Sequence, residues 1–285
     1  MRCRGIYFCS AWLLLCSGCS VFDKFDEKPA FLDIKGAYYF LNERLGDTTS
    51  QGLKDIWVYQ YPSIQGVYEL PTNFPVLNST ASMYIFQGGV FENGLSGVRR
   101  PYPFWESDTA YLSFSPEKTT TYTPKFHYYP DTTLIFPISE DFEGLGVNFQ
   151  QNGETSDTVK LDVINTDAFR GQKCASMSFD STHLQFFQIS TQPLNLPTDR
   201  EVWLEITLKG DVYLEVGLEY HSTTTERVMP FAAYAYPERW NTVFFNISPL
   251  TLKYLNSNKY LILRATGDKK ERFLRLDNIR IIYAK

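Results

Sequence analysis

The strongest constraint on the fold is a two-residue alternation of side chains in the segment EVWLEITLKGDVYLEVGLEY, residues 201–220. Its first half sets one series against another: Trp203, Glu205 and Thr207 against Leu204, Ile206 and Leu208. Successive side chains of a β-strand point to opposite faces of a sheet, so this pattern predicts strands with one apolar face each. Lys209-Gly210-Asp211 then predicts a tight turn between two such strands.

The rest of the chain also favours strands. Aromatic residues make up 16% of the sequence, mostly Tyr and Phe, which favour strands over helices. Short strand-like runs separated by turn residues suggest antiparallel sandwiches. A stretch rich in Thr and marked by Pro, residues 115–137, closes the first group of runs. We therefore predict an all-β chain with two antiparallel β-sandwiches in series, residues 31–138 and 139–285.

Two resemblances refine this prediction. GVYELPTNFPVL, residues 66–77, resembles part of the PEGA-like and Ig-like surface domains of bacteria. The second unit, from EDFEG at 140–144 to its ending Leu276-Asp277-Asn278-Ile279, resembles the jelly-roll carbohydrate-binding-like domain. The resemblances imply an Ig-like sandwich followed by a jelly roll.

The first residues have the features of a secretory signal. A basic start precedes a short apolar stretch, and the small residues Ser17 and Gly18 follow it. The apolar stretch is too short to span a bilayer. Leu15-Cys16-Ser17-Gly18-Cys19 resembles a bacterial lipobox, which implies a signal peptide at 1–18, acylation of Cys19 and a lipidated tether at 19–30. The alternative is an ordinary signal peptide with an incidental cysteine.

Acidic residues close behind Cys19 bear on the location of the protein. Asp23, Asp26 and Glu27 resemble the export signal of Bacteroidota-type surface lipoproteins. The resemblance implies an outer-membrane lipoprotein, anchored in outer-membrane lipid and facing the cell surface rather than the periplasm. The alternative is a solvated linker that happens to be charged. The net charge of −5, with few basic clusters, argues against binding to nucleic acid.

The sequence shows no catalytic motif. His127, His183 and His221 lack the spacing of a zinc site, and there is no nucleophile elbow or phosphate loop. Cys174 lies in an apolar strand-like run, which favours a buried structural thiol over a nucleophile. Acids mostly alternate outward along strands, as on a solvated face. We therefore predict a protein that is not an enzyme, with no catalytic residues, metal site or cofactor.

One pair of acids raises an alternative to the absence of metal. Glu143 and Asp277 stand near the start and the end of the second unit, where the resemblance implies neighbouring strands that share a structural calcium. Two carboxylates are too few to specify this ion. We favour acids that are hydrogen-bonded at strand ends.

The segment RRPYPFW, residues 99–105, is the candidate interface. It combines Arg with rigid aromatic side chains and two prolines, a composition typical of binding hot spots. Its candidate residues are Arg99, Arg100, Tyr102, Phe104 and Trp105. Stacking on sugar rings and capping of its own sandwich are the alternatives. AAYAYPERW, residues 232–240, has a similar composition.

These features favour a non-catalytic lipoprotein that serves as an accessory subunit of an envelope assembly for export, uptake or motility, with a β-barrel or other envelope protein as its partner. The alternative is a cell-surface lipoprotein that binds glycan through the jelly roll. A third and weaker hypothesis is a glycosidase, whose two carboxylates would have to face each other across a cleft.

Overall fold

The computed structural model describes residues 28–40, 52–77, 80–153 and 158–285. The predicted signal peptide at 1–18 and the predicted lipidation site Cys19 lie outside the described residues, as does most of the tether at 19–30. Within the described ranges, the chain contains no helix with the length and apolar character that a membrane crossing requires.

The first sandwich is built from short strands in three sheets. Its described strands are β1 (Ala30–Ile34), β2 (Tyr38–Phe40), β3 (Asp55–Gln60), β4 (Ser63–Glu69), β5 (Thr72–Val76), β6 (Ser82–Phe91), β7 (Arg99–Pro101), β8 (Asp108–Leu112), β9 (Thr119–Thr121) and β10 (Lys125–His127). One sheet has the order β4–β3–β6–β7, with β8 also paired to β6, and the others are β5–β1–β9 and β10–β2. The pairings are antiparallel except for β1 with β9 and β2 with β10.

The second sandwich has two larger sheets. Its described elements are β11 (Leu134–Glu140), β12 (Phe149–Gln151), β13 (Asp162–Ile164), β14 (Cys174–Phe179), β15 (Gln185–Ser190), β16 (Val202–Gly210), β17 (Tyr213–His221), β18 (Thr225–Tyr234), β19 (Asn241–Asn246), the short helix α1 (Ser248–Thr251), β20 (Asn258–Thr266) and β21 (Arg272–Ala284). The first sheet has the order β13–β14–β21–β16–β19, with β11 paired to β21. The second has the order β12–β15–β20–β17–β18.

The prediction of an all-β chain with antiparallel sandwiches and a jelly roll is confirmed, whereas the Ig-like character of the first sandwich stays a prediction. The predicted boundary at Ile138 falls inside β11, whose residues pair with β21 from Leu134 onward. The chain therefore enters the second sandwich a few residues earlier than the boundary drawn from the sequence.

The jelly-roll core forms because the alternation in the sequence sends one side-chain series inward. Leu214, Val216 and Leu218 of β17 are fully buried in this core. Burying one such side chain contributes about 1.5–3 kcal/mol. The other series of β17 lies on the outer face of its sheet.

Strand β16 is buried on both faces. Leu204 and Ile206 belong to the jelly-roll core, whereas Trp203, on the opposite face, packs into the core of the first sandwich together with Phe244 and Ile282. The first sandwich therefore packs on the outer face of the sheet that contains β16. The expectation that the acids of these strands face solvent is wrong for Glu205, which is only 1% exposed because the first sandwich covers it.

Candidate functional site

The structure places the aromatic residues of the candidate interface inside the molecule. Tyr102, Phe104 and Trp105 are 2%, 4% and 5% exposed. The Tyr102 ring lies 5.4 Å from that of Trp203 and 4.8 Å from that of Phe244, measured between centroids. These side chains contact the second sandwich of the same chain, so they do not form the exposed aromatic surface that was expected to receive another protein.

The two arginines of this segment are also engaged within the chain. Arg99 forms ion pairs with Glu69 and with the buried Asp55. Arg100 reaches across to the second sandwich, where its Nη2 donates to Glu201 Oε1 at 2.9 Å. Its guanidinium also lies 5.3 Å from the centre of the Trp203 ring. Arg100 and the aromatic residues therefore join the two sandwiches, whereas Arg99 pairs within the first.

The proposed calcium ligands hold backbone amides. Glu143 Oε1 accepts hydrogen bonds from the backbone nitrogens of Gln172 and Lys173 at 2.6 and 2.7 Å. Asp277 Oδ2 accepts from the nitrogens of Phe169 and Arg170, both at 3.0 Å. In the ranges that the structure describes, no three His, Cys, Asp or Glu residues come together as a group that could hold a metal. Shared calcium at this pair stays an unfavoured prediction.

Cys174 and His183, two of the residues that were considered for catalysis, lie in different environments. Cys174 is buried, as predicted, and burial raises the pKa of its thiol to about 11, with the Asp277 charge adding to the effect. A thiol with this pKa is a poor nucleophile at neutral pH. His183 lies in an exposed turn, where its Nδ1 is 3.0 Å from Asp180 Oδ2. Of the two other histidines, His127 is exposed on β10 and His221 lies on β17.

A set of polar and aromatic side chains lies on the solvent side of the β12–β15–β20–β17–β18 sheet, which we call the outer face. The alternation on β17 puts Tyr213, Glu215, Glu219 and His221 on this face, opposite the core residues. The first sandwich packs on the other sheet and reaches this face at its β18 edge, near Tyr234.

Glu219 is the centre of one cluster on the outer face. Its side chain is 3% exposed and accepts from Asn152 Nδ2 at 2.9 Å and from Arg227 Nε. His221 Nε2 lies 2.6 Å from its Oε1. Burial alone would raise the pKa of Glu219, but these hydrogen bonds outweigh it and lower the pKa below its usual value. The carboxylate is therefore ionised at neutral pH and fixes three donors on the face.

Two aromatic rings flank this cluster. The Arg227 guanidinium lies 5.1 Å from the centre of the Phe187 ring, within the range of a cation–π contact. The rings of His221 and Tyr260 are 4.6 Å apart. The charged groups are thus held between flat apolar surfaces.

The other end of the outer face carries exposed tyrosines. Tyr213, Tyr234 and Tyr236 are 62%, 39% and 38% exposed. The ring of Tyr234 is 4.9 Å from that of Tyr213 and 5.5 Å from that of Tyr236. Between this end and the Glu219 cluster, Arg264 donates to both carboxylate oxygens of Glu215 at 2.7 and 3.0 Å. The outer face thus offers aromatic rings at both ends and oriented polar groups between them.

Comparison with known proteins was informative only for solved structures. No family model and no curated protein matches the sequence. A family 22 xylan-binding domain from Paenibacillus barcinonensis matches 52% of this chain and 94% of its own, with 15% identity and a TM-score of 0.34. A family 22 carbohydrate-binding module from Clostridium thermocellum matches 54% of this chain and 98% of its own, with 12% identity and a TM-score of 0.39.

A third similar structure is a carbohydrate-binding module of the β-sandwich superfamily. It matches 90% of this chain and 99% of its own, with 14% identity and a TM-score of 0.39. Likenesses this weak say nothing about what the present chain binds. The site is therefore assigned from its own side chains.

The Glu219 cluster was not predicted from the sequence. Asn152 and Glu219 are 67 residues apart, and only the folded sheet brings them together. The sequence showed the alternation that puts Glu219 on the face opposite the core residues. It did not show which residues would contact Glu219. The tyrosines at 234 and 236 do fall in the segment 232–240, whose composition stood out.

Proposed function

We propose that this protein is a non-catalytic, lipid-anchored glycan-binding protein of the bacterial outer membrane, attached through Cys19 and exposed at the cell surface. The glycan lies along the outer face of the jelly roll. The observation that carries the proposal is the set of exposed, mutually packed tyrosines on the same face as the Glu219 cluster.

The chemistry of this face suits a sugar chain. Sugar rings have apolar C–H faces and hydroxyl edges, so they are bound by a flat aromatic surface together with polar groups of fixed direction. Tyr213 and Tyr234 supply the aromatic surface. Arg264 and Arg227 are held in position by carboxylates, which leaves their remaining N–H donors oriented for hydroxyl groups.

Replacing Tyr213 or Tyr234 by alanine is expected to weaken glycan binding about three- to tenfold, because each variant removes one stacking surface. A glycan array would identify a ligand, and calorimetry would measure its affinity for each variant. Tyr111→Ala is a matched control, since Tyr111 is 77% exposed but lies on the first sandwich. Unchanged affinity in both jelly-roll variants would contradict this binding surface, and an array without any ligand would contradict the proposed function.

One observation favours the accessory-subunit function as a second candidate. In the first sandwich, the side of the β3 and β6 sheet that is turned away from the core is rich in exposed apolar side chains. Tyr61, Ile64, Val67 and Tyr111 there are 67%, 53%, 38% and 77% exposed. Met83 and Trp57, which pair with Tyr111 and Val67, extend this surface. Extended apolar surfaces of this kind often mark a protein interface.

Gentle detergent extraction of outer membranes tests the anchor and this second function together. We expect the wild-type protein in the membrane fraction and Cys19→Ala in the soluble fraction, because the substitution removes the site of acylation. Stoichiometric co-purification of an envelope protein that is lost in Tyr111→Lys would support the subunit function. A solitary wild-type protein would argue against a stable assembly, and membrane retention of Cys19→Ala would refute the lipid anchor.

A further inference from the structure

A cleft of about 530 Å³ lies where the two sandwiches meet. The first sandwich lines it with Lys54, Glu69 and Phe91, among others, and the second lines it with Tyr234, Tyr236, Arg239 and Asn241, among others. Its volume is within the usual range of ligand sites, and such sites are common at domain interfaces. Tyr234 and Tyr236 also belong to the glycan-binding face proposed above, but Lys54, Arg239 and Asn241 have no role in it.

The cleft contains two cationic side chains, one from each sandwich. Lys54 Nζ donates to Asn241 Oδ1 at 3.0 Å, so the lysine is tied to the second sandwich. Burial lowers the pKa of Lys54, and the nearby charge of Arg239 lowers it further. An anion bound in the cleft would lie close to both positive charges. Its negative charge would raise the pKa of Lys54 and so offset the lowering by burial and by Arg239.

The acidic residue that lines the cleft already has a partner. Glu69 forms its ion pair with Arg99, which stands outside the cleft lining. Arg239, by contrast, lies over the Tyr236 ring, with its guanidinium 4.9 Å from the ring centre. A planar guanidinium held on an aromatic ring is well suited to bind a carboxylate or sulfate with two parallel hydrogen bonds.

The cleft is continuous with the outer face. Tyr234 lines the cleft and also packs against Tyr213 of the outer face. From Tyr213 to Glu219 the strand advances about 20 Å, at roughly 3.4 Å per residue. A single sugar chain of a few units on the outer face would therefore reach the cleft over Tyr234.

We propose that this cleft binds the anionic group of an acidic sugar, a carboxylate or a sulfate ester, through Lys54 and Arg239. The inference rests on the proposed function and makes it more specific, because it selects acidic glycans over neutral ones. Both sandwiches then contribute to one ligand site, with the neutral part of the chain on Tyr213 and Tyr234 and the charged unit between the sandwiches.

Calorimetry with matched probes tests the charge preference. The probes are a galacturonate oligosaccharide, its methyl ester, and a sulfated galactan oligosaccharide with its desulfated form. We expect at least one acidic probe to bind about tenfold tighter than its neutral form, and the difference to shrink with added salt. A preference for the carboxylated or for the sulfated probe would identify the group. Equal affinity for acidic and neutral forms would overturn the inference and leave the proposed function standing.

Variants assign the preference to the cleft. Lys54→Met and Arg239→Gln are each expected to remove most of the tenfold preference, whereas Lys253→Gln, a change of an exposed lysine outside the cleft, is expected to keep it. A preference that survives in both cleft variants would overturn the inference.

A second readout is independent of binding on the outer face. Free galacturonate is expected to raise the melting temperature of the wild-type protein more than galactose does, and to lose this effect in Lys54→Met. If no oligosaccharide binds but this shift is present, the cleft assignment stands without the proposed function. If galacturonate has no such effect and the sulfated oligosaccharide is not preferred over its desulfated form, the cleft assignment fails.

Discussion

Replacing Glu205 by alanine is expected to lower the free energy of unfolding by about 3–5 kcal/mol, because it breaks a buried charge cluster between the two sandwiches. Glu205 Oε1 accepts hydrogen bonds from the hydroxyls of Tyr102 and Tyr128, both at 2.5 Å. Its Oε2 lies 3.2 Å from Arg280 Nη2. The alanine variant would remove the carboxylate that these two tyrosine hydroxyls and the arginine share.

The burial of this cluster makes the effect large. The side chain of Glu205 is 2% exposed and that of Arg280 12%, so water cannot readily replace the lost partner. Glu205→Gln keeps an acceptor for the tyrosines but removes the negative charge, and we expect an intermediate loss of about 1–3 kcal/mol. Unfolding in guanidinium chloride, followed by the fluorescence of the tryptophans at the interface, measures both effects.

Glu215→Ala is the matched control. Glu215 lies on β17, the next strand in the sequence, and like Glu205 it points away from the jelly-roll core. It pairs with Arg264 on the surface, where both side chains are more than a third exposed. An exposed ion pair contributes at most about 1 kcal/mol. If Glu205→Ala lowers the free energy of unfolding no more than Glu215→Ala does, the charge cluster does not stabilise the contact between the two sandwiches.

Glu205 and Glu215 also show how far the sequence could predict the fold. Both follow the two-residue alternation, which indicated correctly that they oppose the apolar series of their strands. The alternation is a local property, so it cannot reveal whether a second sandwich covers the polar face. Glu205 is covered and Glu215 is not, and that difference depends on contacts with residues about a hundred positions earlier in the chain, such as Tyr102.

The same limit explains the fate of the segment 99–105. Its composition indicated an interface, and its aromatic residues do lie in one. Aromatic and arginine side chains favour any large apolar contact, and nothing in their identity distinguishes another protein from a second sandwich of the same chain. The candidate glycan site was missed for a related reason. Its donors come from separate strands and a turn, and only the sheet brings them to one carboxylate.

The contribution of Asp55 to stability is expected to fall as the pH rises from about 4 to about 6, because its carboxyl group is buried. Its side chain is fully buried, and the Arg99 guanidinium and the Trp57 indole are the groups that favour its charged form. Arg99 Nη1 lies 3.5 Å from Oδ2. Asp55 Oδ1 occupies the place where a side chain on Gly89 would begin, which explains the need for glycine there. Burial raises the pKa of Asp55 to about 6, although Arg99 opposes this.

The direction of this pH effect follows from the difference in the pKa of Asp55 between the folded and the unfolded chain. An unfolded aspartate has a pKa of 3.8, so well below that pH both states are protonated and the folded protein has the full contribution. Between pH 4 and 6 the unfolded state ionises first, which favours unfolding until the folded state also ionises. A difference of roughly two pKa units corresponds to at most about 3 kcal/mol. Asp277, whose pKa burial also raises to about 6, is expected to act in the same direction.

Urea unfolding at pH 4.5 and 6.5 measures this dependence. Relative to the wild type, Asp55→Asn is expected to lose less stability between these two pH values, and Asp55→Asn combined with Asp277→Asn less still, because an amide does not ionise in this range. Asp199→Asn is the control: Arg200 holds the pKa of this exposed carboxyl below its ordinary value, so it stays ionised throughout. If Asp55→Asn shows the same fall as the wild type, Asp55 must be ionised already at pH 4.5. The ion pair with Arg99 would then outweigh burial, and Asp55 would stabilise the folded chain at neutral pH.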